Sequence, residues 1–203
     1  MLSADQVERF AKTGFLVVPD FYDVPSHVSP LRQEIKDVIR SICQGNGIEV
    51  DDTPADENNF DDGYLAAIAL DRRLGGLIYD ATKQVGAFHR LISLRRNQEL
   101  FSQLRPGSLP GLAHGGSGIR IDNPGETKYQ TAWHQEYPTQ FRSLDGIVFW
   151  TPLRTIDEAI GPLTVAESSH RLGIVPVVHD AGTAEQSGAY AIRLADESIA
   201  DQF

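Results

Sequence analysis

A single cysteine, Cys43, occurs in 203 residues. No disulfide can close within the chain, and no thiolate cluster can hold zinc. That scarcity suits a reducing compartment. Long apolar runs are missing as well, and stretches such as Gly146-Ile147-Val148-Phe149-Trp150 are far too short to span a bilayer. The opening residues, Met1-Leu2-Ser3-Ala4-Asp5-Gln6-Val7-Glu8-Arg9, carry acids where a secretory signal would be apolar. Basic clusters are also lacking. The net charge is −10 with Lys and Arg scattered, so the footprint that displaces counterions from nucleic acid or anionic lipid is absent. The expectation is a cytoplasmic protein with neither nucleic acid nor membrane as a partner.

What is present divides into two textures. Ser3 followed by Gln6 forms a capping box for a short helix through Val7, Phe10 and Ala11, which Gly14 ends. Phe15-Leu16-Val17-Val18 then reads as a buried strand closed by Pro19. Leu31, Ile35, Val38, Ile39 and Ile42 recur at helical spacing, with Gly45 and Gly47 as the stop. The acidic stretch from Asp51 to Asp62 reads as a solvated loop, because calcium loops need ligands alternating around a central glycine. Helical spacing resumes from Tyr64 to Leu74 and again around Val85, Phe88, Leu91, Ile92 and Leu94.

From Gly107 onward glycine and proline become frequent. Short apolar runs recur at Ile119-Arg120-Ile121, Gly146 to Trp150, and Leu163-Thr164-Val165. Short strands between Gly and Pro turns predict a sandwich or barrel. The fold class expected is α+β, one domain over 1–203, with a helical layer over 1–106 packed on strands over 107–203. Gly115-Gly116-Ser117-Gly118 reads as a turn and not a phosphate loop, since no Lys-Ser/Thr follows it.

Chemistry concentrates in Tyr129-Gln130-Thr131-Ala132-Trp133-His134-Gln135-Glu136-Tyr137-Pro138. On a strand, residues two apart share a face, so His134 and Glu136 would point together into the interior. An imidazole beside a carboxylate is two-thirds of a two-His-one-carboxylate site, which leaves open positions on iron(II). With six histidines and 28 acids in the chain, chance alone supplies about one His-x-acid pair. The surroundings add weight. Gly14-Phe15-Leu16-Val17-Val18-Pro19-Asp20-Phe21 precedes the Trp133-His134-Gln135-Glu136 motif. An aromatic run from Gly146 to Leu153 follows it, and then come Gly161-Pro162-Leu163-Thr164-Val165 and Ser169-His170.

In order and rough spacing, across nearly the whole chain, these pieces resemble the phytanoyl-CoA dioxygenase family of iron(II)- and 2-oxoglutarate-dependent oxygenases. The resemblance implies a double-stranded β-helix (jelly-roll, cupin-like) core and hydroxylation of a small organic substrate. It implies iron(II) as the metal and 2-oxoglutarate as co-substrate. It makes His134 and Glu136 the iron ligands, places Trp150, Asp122 and Thr131 around the co-substrate pocket, and gives His170 a role in supporting the ligands or ordering a loop rather than in ligation. Glu136 stands where the family usually has Asp, and Glu167-Ser168-Ser169-His170 replaces the commoner Pro-Gly-Ser-His. The family's second histidine and its co-substrate arginine are not found in their places, since His179 and Arg193 come too early. The expectation is therefore a C-terminally incomplete domain that lacks late strands and leaves sheet edges open. A non-catalytic, metabolite-binding barrel is the alternative.

Overall fold

Local signals at the N-terminus translate directly into structure. In a computed structural model, which describes residues 1–113, 115–123, 126, 131–139, 143–179 and 192–203, α1 spans Ala4–Thr13. The Ser3 hydroxyl accepts from the Gln6 amide, and the Gln6 side chain accepts from the Ser3 amide. Gly14 ends the helix in the left-handed region at φ 84°, donating its N–H to the Phe10 carbonyl. A π-helical turn, Val24–Val28, leads into α2, Ser29–Gly45, with Pro30 in its first turn where no N–H is needed.

Helix α2 is the centre of the molecule. Leu31, Ile35, Ile39 and Cys43 recur every four residues and are all buried. They meet Tyr64 and Ala67 of α3 (Tyr64–Leu70), Ile78 of α4 (Arg72–Thr82), and Phe88 and Leu91 of α5 (Gly86–Ile92). Sequence spacing predicts one helix from Tyr64 to Leu74, but the structure breaks it at Asp71. That residue adopts extended backbone and turns its carboxylate onto the Arg73 amide, capping α4. Helix α6, Arg95–Leu104, falls within the helical layer expected over 1–106, and it buries only Leu100 and Leu104. Between Ile48 and Gly63 the chain forms no helix or strand, as the acidic composition predicts.

The second half departs from expectation, and no jelly roll is formed among the described residues. Among the described residues the only sheet pairs β1 (Val177–His179) antiparallel with β2 (Ile192–Leu194), three residues each, with Val178 opposite Arg193. Phe15–Val18, Ile119–Ile121, Gly146–Trp150 and Leu163–Val165 run without strand pairing. The physical reason is that an apolar run becomes a strand only when a partner strand supplies the ladder. Ile119 and Ile121 instead pack, with Leu153, against the helical core. Val148, Trp150, Leu163 and Val165 are exposed and enclose no interior.

Polar ties fasten this half to the helices. Arg32 Nε donates to the Leu153 carbonyl at 2.7 Å, Arg154 pairs with Asp61 at 2.7 Å, and Arg72 grips Glu126 through two bonds of 2.8 Å. No helix among the described residues is long and apolar enough to cross a membrane.

Candidate metal centre

The segment 131–136 is tied at Trp133 to the small sheet and at Gln135 to the residues that lead into β1. The Trp133 carbonyl accepts the Leu194 amide of β2 at 3.1 Å. The Gln135 side chain donates to the Gly173 carbonyl at 2.8 Å and accepts the Val175 amide at 3.0 Å. With 133 and 135 engaged there, His134 and Glu136 are free to converge on each other. His134 Nε2 stands 3.2 Å from Glu136 Oε1, and both side chains are half-buried. The convergence expected of a strand is present, although Glu136 opens a four-residue helix, α7 (Glu136–Thr139), and 131–135 form no strand. Tyr129 and Gln130, the start of the motif segment, lie outside the described residues.

The other imidazole nitrogen fixes the tautomer. His134 Nδ1 lies 2.8 Å from the Ala132 carbonyl, and a carbonyl only accepts, so Nδ1 carries a hydrogen. Nε2 then faces a carboxylate that also only accepts. Such a contact needs a proton or a cation between the two atoms. The hydrogen bond to Glu136 raises the imidazole pKa above its usual value. Burial opposes this, the Ala132 carbonyl and the Glu136 charge support it, and the nearby Arg120 charge opposes it.

The separation is that of an ordinary hydrogen bond, and it is also compatible with two ligands of one ion. Two ligand atoms about 2.1 Å from one ion and at right angles lie about 3.0 Å apart, close to the 3.2 Å found. A histidine whose second nitrogen donates to a carbonyl is the usual form of a metal-binding imidazole.

Arg120 is the residue that sequence reasoning missed, having been counted within an apolar run. Its guanidinium bonds Asp122 through two nitrogens and the Thr131 hydroxyl through a third. It thereby gathers both expected co-substrate residues at one cation, close enough for its charge to be felt at His134. Trp150 is 45% exposed. Its segment is held at Phe149 against the Phe21 ring and at Thr151 against Tyr22, and no bond or ring contact joins it to His134 or Glu136 among the described residues.

His170 sits elsewhere. Its Nε2 lies 3.1 Å from the Ala11 carbonyl, while the Ser168 hydroxyl and amide donate to the carbonyls of Lys12 and Thr13. The Ser-His element thus satisfies the orphan carbonyls ending α1. Arg193 lies in β2, 3.8 Å from Glu197. Among the described residues no group of three His, Cys, Asp or Glu side chains is placed to hold a metal. Comparison with known proteins found no matching family model, curated protein or solved structure.

Proposed function

We propose that the chain is an iron(II)- and 2-oxoglutarate-dependent oxygenase that hydroxylates a small organic substrate, with His134 and Glu136 as protein ligands of the iron. The observation carrying this reading is the 3.2 Å approach of Nε2 to a carboxylate oxygen, on an imidazole whose Nδ1 hydrogen is committed to the Ala132 carbonyl. The Trp133-His134-Gln135-Glu136 motif and the order of the elements around it support the same reading. It is a proposal about the site and not the scaffold, since the described residues form no barrel.

When bound, iron would couple decarboxylation of 2-oxoglutarate to oxidation of a C–H bond. The chain's own residues do the positioning. His134 offers Nε2, Ala132 holds the ring, and Glu136 brings a negative charge against the metal. Arg120, bonded to Asp122 and Thr131, holds these two residues together at the edge of the site.

Anaerobic titration with iron(II) and 2-oxoglutarate tests this through the metal-to-ligand charge-transfer band. The band should form in the native chain and vanish in His134→Ala and Glu136→Ala. No iron binding at micromolar protein, or a band indifferent to both substitutions, would overturn it. Binding of 2-oxoglutarate without the band would mark a metabolite-binding protein instead.

A further inference from the structure

The end of α4, the face of α5 and Leu112, Ala113, Gly115 and Ser117 line an open cleft of about 320 Å³ that His134 does not line, at the small end of ligand sites, which run from roughly 300 to 1,000 Å³. Phe88, Ile92 and Leu112 make much of its lining apolar, and Lys83, His89 and Ser117 line it as well. Neither Asp nor Glu lines it among the described residues, although the chain as a whole carries a net charge of −10.

Lys83 is held in place. Its Nζ lies 2.9 Å from Asp80 and 3.9 Å above the Tyr79 ring, while its stem lies against Gly118. An ammonium has three donors, and Asp80 takes one. Asp80 is 70% exposed, and an ion pair so open to water competes weakly with a ligand in the cleft. The turn at Gly115, in the left-handed region at φ 75° with the Gly116 amide on the Ala113 carbonyl, brings Ser117 to the cleft.

Apolar residues beside a lysine and a serine, with no acid lining the cleft among the described residues, favour one chemistry. We propose that this cleft binds a compact monocarboxylate with an apolar body, its carboxylate on Lys83 and Ser117 and its body on Phe88, Ile92 and Leu112. This site stands apart from the metal reading and requires no metal.

Sodium phenylacetate is a suitable probe, titrated into the uniformly ¹⁵N-labelled full chain with phenylacetamide as the neutral match. Saturable shifts should centre on the amides of Phe88, His89 and Ser117. Phenylacetamide and the Lys83→Gln chain should each bind at least about tenfold more weakly, the scale of one charge-assisted hydrogen bond. Leu112→Trp, a change at an exposed position, should abolish binding by filling the cleft without unfolding the chain. Shifts that never saturate, or phenylacetamide and Lys83→Gln matching the native pair, would overturn the proposal. Undiminished binding in Leu112→Trp would do the same. His134→Ala should leave phenylacetate binding intact, so failure here and failure of the iron site are separate results.

Discussion

At the scale of single residues, the His134–Glu136 contact makes stability depend on pH in a defined direction. In the metal-free protein the imidazole pKa is raised, chiefly by the hydrogen bond to Glu136. A group whose folded pKa lies above its unfolded value stabilises the fold fully below that unfolded value, about 6.5 for histidine. The contribution disappears as pH climbs through the raised folded value. Thermal melts of the native chain and of His134→Gln, both treated with chelator, should therefore differ most between about pH 5 and 6. The gap should narrow as the solution becomes alkaline. A gap that widened with pH would show that the imidazole is held neutral, and the contact would need another explanation. Arg120 belongs to this scale too. Arg120→Gln keeps a hydrogen-bonding head but removes the charge opposing protonation of His134, so the His134 pKa measured by NMR should rise in that variant.

At the scale of elements, α1 is fastened to a segment more than 150 positions later in the chain. Ser168 and His170 satisfy the last carbonyls of α1, and the same segment runs on to Gly173 and Val175, where Gln135 is clamped. Gly14 is where this junction is tightest. Its φ is 84°, and an added Cβ would stand 2.5 Å from His170 Nδ1. Gly14→Ala combines a left-handed backbone, costing about 1–2 kcal/mol for a residue with a side chain, with that clash. It should lower the melting temperature by more than the backbone term alone, and His170→Ala should recover part of the loss when the two changes are combined. Strict additivity of the two changes would show that the ring and the glycine do not meet. Gln135→Ala tests the other end of the segment. It removes both the donor to the Gly173 carbonyl and the acceptor of the Val175 amide, so the variant should loosen 173–175, read as faster amide hydrogen exchange at Val175. If Val175 exchange is unchanged, the clamp has no hold on that segment.

Across the whole molecule, legibility followed the range of the interactions concerned. The capping box of α1, the four-residue period of α2 and the acidic loop after it were readable because each signal lies within a few residues. The break at Asp71 was not, because an aspartate within an apolar period can either continue a helix or cap the next one. Strands were misread because a ladder is decided by a distant partner that no local pattern names. The site shows the same division. His134 and Glu136 meet, but without the strand that their spacing was read to imply, whereas Arg120 reaches Thr131 from 11 positions away and left no local mark. The location of the core follows from this and can be checked directly. If burial is concentrated on α2 to α5, Ile39→Ala, at 1% exposure, should cost about 2–5 kcal/mol in denaturant unfolding. Leu163→Ala, at 56% exposure, should change stability by no more than about 0.5 kcal/mol. A jelly-roll core would give a different pattern, because its inward-facing strand residues would each carry a cavity cost comparable to that of Ile39. Comparable losses at Ile39 and Leu163 would restore the barrel; a loss at Ile39 alone places the stability of this chain in its helices.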